Sequence, residues 1–124
     1  MCNSMPLSMD LSAKGFEMFF KPWQVVALKY LISIRPEGAN SREVYVHVSS
    51  KMEISRASII NFLNALVDDS VLEYTETTGK GGHHRIYSIP YDESEFKQFL
   101  AEQFLNKLKE EYAMETMNAL NKFK

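Results

Sequence analysis

Cysteine is nearly missing from this 124-residue chain: Cys2 is the single one. No intramolecular disulfide and no multi-cysteine metal site can therefore form. Cys2 also lies beside a terminus, and we assign it no role. No apolar run approaches the ~20 residues that a membrane helix needs. The N-terminus lacks a basic start and an unbroken apolar stretch, being punctuated by Lys14, Glu17 and Lys21, which argues against a secretory signal. The expectation is a cytoplasmic protein without a membrane partner. Neither sign of charge dominates, since the formal net charge is -2. Compact nucleic-acid binders are commonly basic, but binding follows the field at the contact surface rather than the total. Composition alone leaves DNA binding open. Catalytic signatures are lacking too. No serine sits in a nucleophile-elbow setting, and no glycine-rich loop follows a strand in phosphate-cradle spacing. The expectation is a non-enzyme that needs no cofactor.

What the chain does have is apolar residues, 45% of the total, enough for a core in one domain with a long appended helix. Residues 1 to 21 read as a leader with a short helix from Asp10 to Phe20, weakened by Gly15. Pro22 suits a helix's first turn. From there to Ile34, the residues Trp23, Val26, Ala27, Tyr30, Leu31 and Ile34 recur at three-and-four spacing. Pro36 and Gly38 end that helix. Asn40 with Glu43 has capping-box spacing and opens a second helix over Ser41 to Met52, with Val44, Val48 and Met52 facing inward. After the turn Glu53-Ile54, Ser55 caps a third helix to Asp69. Its apolar face is Ile59, Phe62, Leu63 and Leu66, and its other side carries Arg56, Ser58, Asn61 and Asn64.

Val71 to Thr75 and Arg85 to Ile89 read as paired strands. The intervening Thr77 to His84 is a glycine-rich loop, too long for a two-residue turn and expected to be mobile. Beyond Asp92 the pattern predicts one helix of roughly 30 residues, about 45 Å long. Its stripe is Phe96, Phe99, Leu100, Phe104, Leu108 and Tyr112, continued less regularly to Phe123. A face that long needs a partner, and a second copy of the chain is the economical one. Lysines alternating with glutamates on its polar side argue against a membrane.

Three helices, two strands and a final helix is the order of a winged helix-turn-helix. The stretches Trp23-Gln-Val-Val-Ala-Leu-Lys-Tyr-Leu31, Ser55-Arg-Ala-Ser-Ile-Ile-Asn-Phe-Leu-Asn-Ala-Leu66 and Gly79-Lys-Gly-Gly-His-His-Arg-Ile-Tyr87 resemble bacterial and archaeal regulators of the penicillinase-repressor type and, more loosely, the MarR type. Ser70 departs from the pattern, standing where many such proteins have glycine, so that turn is expected to be tighter or slightly displaced. The resemblance implies a mainly α fold with a small β-hairpin: a winged helix-turn-helix over residues 22 to 91, followed by a C-terminal dimerisation helix over 92 to 124. It also implies a sequence-specific double-stranded DNA-binding transcriptional regulator, a repressor acting as a homodimer on a pseudo-palindromic operator.

On that reading Arg56, Ala57, Ser58 and Asn61 occupy the leading turns of the recognition helix. Arginine can donate two bonds to guanine, and asparagine can pair bidentately with adenine. Asn64 lies deeper along the helix. Phosphate contacts, which position without reading sequence, fall to Ser55, Arg42 and Lys51 and to the wing residues Lys80, His83, His84 and Arg85. The histidine pair invites a metal reading, but His47 is the only further histidine, and no metal is expected. Phe96, Phe99, Leu100, Phe104, Leu108 and Tyr112 are assigned to dimerisation. The alternative, of another class, is a winged-helix protein-interaction module without specific DNA binding. No effector, target or inducing signal is legible.

Overall fold

Pro22 begins the first long helix because its missing N–H belongs to a turn whose donors have no partner anyway. In the computed structural model, which describes residues 8–79 and 82–123, α1 spans Pro22–Ser33, α2 Ser41–Ser49 and α3 Arg56–Asp68. The hairpin strands are β1, Glu73–Gly79, and β2, Gly82–Ser88. Two further helices, α4 over Glu93–Glu111 and α5 over Ala113–Asn121, complete a mainly helical chain with a two-stranded antiparallel sheet. The chain divides into one unit up to Asp92 and a second from Glu93 onward.

The core of the first unit uses the predicted faces of α2 and α3 but only part of that of α1, where Trp23, Val26, Tyr30 and Ile34 are half-buried. Ala27 and Leu31 of α1, Val44 and Val48 of α2, and Ile59, Phe62, Leu63 and Leu66 of α3 are buried, as are Val71 and Leu72 after α3. Each large side chain taken from water contributes about 1.5–3 kcal/mol. Leu28 is fully buried as well, although it lies off the predicted stripe. The reason is that α1 touches both α2 and β2, so its apolar arc is wider than one seam. Phe62 ties the layers together, meeting Trp23 edge-on at 5.2 Å and Phe20 at 6.3 Å between ring centroids.

Local chemistry sets the helix starts. The Asn40 side chain accepts from the Glu43 N–H at 2.8 Å, and the Glu43 carboxylate accepts from the Asn40 N–H at 2.9 Å, a complete capping box. Ser55 caps α3 by accepting from the Ser58 N–H at 3.0 Å.

Three expectations need correction, and one contact is additional. The leader helix from Asp10 to Phe20 is only a 3-10 turn, Gly15–Met18. Gly15 there has a left-handed φ of 59°, and the Asp10 carboxylate accepts from both Ser12 N–H and Ser12 hydroxyl rather than capping a helix. Within the loop expected over Thr77 to His84, the described residues Thr77, Thr78, Gly79, Gly82, His83 and His84 are strand, because Thr77 pairs with His84, Thr78 with His83 and Gly79 with Gly82. β-Branched threonines favour that pleated edge. The single C-terminal helix is broken at Tyr112, whose φ of -139° and ψ of 63° leave the helical region. Leu108 marks the break: its carbonyl accepts from the Tyr112 N–H at 2.7 Å and from the Thr116 hydroxyl at 3.1 Å. In a straight helix residues eight apart would be about 12 Å apart along the axis. Finally, a bridge absent from the sequence reading joins Ala39 to Tyr87. Each N–H donates to the other's carbonyl, at 2.9 and 2.8 Å, tying the α1–α2 connection to the edge of β2 that β1 leaves open.

The end of α3 explains Ser70. The Val71 N–H donates to Leu66 O at 2.8 Å and the Ser70 N–H to Val67 O at 3.0 Å. This pair of bonds closes a helix through a left-handed residue, and Ser70 takes that place with φ 64°. The turn keeps the geometry glycine would give it, at the strain cost of a side chain. Ser70→Gly is therefore expected to raise stability by about 1 kcal/mol, read as a higher urea midpoint at unchanged slope.

Candidate nucleic-acid interface

The leading turn of α3 projects from the first unit. Arg56, Ala57 and Asn61 are exposed and Ser58 is half-buried. Ala57, Asn61 and Asn64 follow one another at four- and three-residue steps along one ridge. Ser58 is tied into the cap, its hydroxyl accepting from the Ser55 hydroxyl at 2.9 Å. The Arg56 guanidinium lies 6.0 Å from the centre of the Tyr45 ring, at the limit of a cation–π contact, so it rests near α2 while remaining open to solvent. Arg42 and Lys51 flank this helix pair and are exposed. The Glu43 carboxylate, a nearby charge of the wrong sign for DNA, is turned back onto the Asn40 N–H.

The hairpin separates residues that are adjacent in sequence. Side chains alternate between the two faces of a strand, so His83, Arg85 and Tyr87 share one face while His84 takes the other. Lys80 lies outside the described residues. Arg85 is half-buried. Its guanidinium stacks 4.1 Å from the Tyr74 ring centre and donates to Asn64 Oδ1 at 3.1 Å. The same oxygen accepts from the Tyr87 hydroxyl at 2.6 Å. Burial pushes the Tyr87 hydroxyl pKa up, with the Arg85 charge and hydrogen bond pulling the other way. Tyr87 therefore keeps its proton for donation to Asn64 at neutral pH. Asn64, Tyr74 and Tyr87 were not among the predicted site residues. Their signal was the alignment of Asn64 behind Asn61 and the two-residue alternation of Arg85 and Tyr87.

No protein-family model, curated protein or solved structure matches the chain.

In the second unit the predicted stripe divides. Phe96 and Leu100 are buried within the chain, Phe99 and Leu108 are half-buried, and Phe104 and Tyr112 are exposed, together with Met114, Met117 and Phe123. Phe96 and Leu100 thus do not form part of an open face. Among the described residues, no helix is long and apolar enough to cross a membrane, and no cluster of three metal-ligating side chains occurs. An open cleft of about 610 Å³ runs between the N-terminal segment and the flank of α3, with Phe19, Phe20 and Phe62 beside Asp10, Glu17 and Asp69. Burial raises the Asp69 carboxyl above the usual range, and Asp68 adds to it.

Proposed function

We propose that this chain is a cytoplasmic, non-enzymatic regulator of the winged helix-turn-helix type that binds duplex DNA as a homodimer and acts as a repressor. The observation that carries the reading is the junction of α3 with the hairpin. An exposed helix ridge, Ala57 to Asn61, runs into Asn64, which is hydrogen-bonded to β2. Helix and hairpin are thereby presented as one surface. A major groove admits one helix. With α3 there, Arg56 and Asn61 face base edges, Ser58 supports the leading turn, and phosphate contacts are assigned to Arg42, Lys51, Ser55, Lys80 and one of His83 and His84, which lie on opposite faces of β2.

Dimerisation is assigned to the exposed apolar residues of the second unit, led by Phe104 and Tyr112. Two-fold symmetry then sets two half-sites about one helical turn apart. Phe104→Asp should shift the protein to monomer in sedimentation equilibrium, since a buried phenylalanine contributes about 1.5–3 kcal/mol per protomer. A dimer that persists in Phe104→Asp would place the contact elsewhere.

The test is fluorescence anisotropy with labelled duplex from the region upstream of the chain's own coding sequence, against unlabelled random duplex, over a salt series. With Arg42, Lys51 and Lys80 of both protomers on phosphates, the slope of log affinity against log salt should be near -5, at about -0.9 per phosphate. Weak and equal binding to every duplex would reject the regulator and favour a protein-interaction module carried by the apolar residues of the second unit.

A further inference from the structure

Arginine beside a hairpin tip suggests a phosphate ligand, but the surroundings of Arg85 point elsewhere. Its guanidinium plane is stacked on Tyr74 at 4.1 Å, and one of its nitrogens donates to Asn64 at 3.1 Å. The residue opposite it in the ladder is Glu76, on the same face of the sheet, and a carboxylate there opposes an incoming phosphate. Asn64 Oδ1 receives the Tyr87 hydroxyl as well, so both lone pairs of that oxygen are engaged. Tyr87 in turn is buried and fixed by its backbone exchange with Ala39. The chain of contacts runs from the α1–α2 connection through β2 to the middle of α3.

We propose that Arg85 is a positioning residue: with Asn64, Tyr74 and Tyr87 it clamps the hairpin to α3 and sets the angle at which both meet the duplex, without itself binding phosphate. The inference rests on the DNA-binding reading above. It requires the planar, stacking fork of arginine rather than its charge, because lysine offers a point charge and no plane.

The test compares wild type with Arg85→Ala, Arg85→Lys, Asn64→Ala and the Arg85→Ala/Asn64→Ala double variant, with Lys51→Ala as the phosphate reference. Each is titrated with the specific duplex across a salt series. Arg85→Ala and Arg85→Lys should both bind about tenfold more weakly, Asn64→Ala should match them, and the double variant should lose no more than either single one. The salt slope should stay at the wild-type value, whereas Lys51→Ala makes it shallower by about 0.9 per protomer. Asn64→Asp keeps the acceptor oxygens for Arg85 and Tyr87 and should retain the wild-type urea midpoint in the DNA-free protein, which guards against variants that merely misfold. Near-wild-type binding by Arg85→Lys, with a shallower slope in Arg85→Ala, would make Arg85 a phosphate ligand and overturn the proposal. A double-mutant cycle by urea unfolding of the DNA-free protein separates the two levels. Non-additive losses support the clamp, and additive losses overturn it. Absence of duplex binding by the wild type would remove the regulatory reading and the docking angle with it, whatever the cycle gives.

Discussion

Gly38→Ala should destabilise the first unit by about 3 kcal/mol, far more than one added methyl normally does. Gly38 has φ 78°, a left-handed conformation that a side chain occupies at a cost of roughly 1–2 kcal/mol. A Cβ there would also overlap the Tyr87 carbonyl oxygen and come within 3.1 Å of the Ser88 Cβ. Neither backbone can step aside easily, because Ala39 and Tyr87 exchange hydrogen bonds at 2.9 and 2.8 Å one residue away. Overpacking of this kind adds about 1–3 kcal/mol. Gly15→Ala is the matched control: its φ is 59° but nothing lies within 4 Å of the new Cβ, so only the strain of about 1 kcal/mol remains. Urea midpoints of the two variants at a common slope check the difference. Equal losses would mean that the Gly38–Tyr87 approach is not what requires glycine. Because Tyr87 also donates to Asn64, Gly38→Ala should loosen the hairpin from α3 as well.

What was legible in the sequence was local. The Asn40–Glu43 box and the Ser55 cap are signals confined to a few residues, and both formed as read. The apolar spacing of α2 and α3 fixed which faces are buried, since three-and-four periodicity needs no knowledge of the partner. The failures share the opposite character. The strands reach further toward the hairpin tip than composition suggests, because glycine and histidine are common loop residues, whereas pairing from Glu73 to Gly79 is set by the partner strand. The break at Tyr112 has neither proline nor glycine to announce it and is held by a bond reaching back eight residues to Leu108. The Ala39–Tyr87 bridge and the Asn64–Arg85 contact join residues remote in sequence, so no local pattern encodes them. For the candidate site, the sequence places Arg56 and Asn61 on the exposed side of α3 but groups with them Ser58 and Asn64, which are half-buried, and treats His83, His84 and Arg85 as equivalent phosphate contacts. Strand alternation separates them, and packing holds Arg85 inward.

Arg56→Ala and Asn61→Ala should each weaken binding to the specific duplex by about 10- to 100-fold, the range for a lost bidentate base contact of about 1–3 kcal/mol. The two residues sit at different places on α3. Arg56 is in the first turn, exposed and 6.0 Å from Tyr45, where it can swing toward a base without breaking a hydrogen bond. Asn61 is on the exposed ridge just ahead of the Asn64 contact, so its reach depends on how deeply α3 enters the groove. They are five residues apart and share no partner, so the double variant should lose about the product of the single factors. Base contacts and phosphate contacts then separate by competitor. Arg56→Ala and Asn61→Ala should leave affinity for random duplex nearly unchanged and erase discrimination, while Lys51→Ala should lower both affinities together. Equal loss on specific and random duplex in the α3 variants would mean that this ridge follows the phosphate backbone. Specificity would then have to come from the shape of the duplex rather than from the edges of its bases.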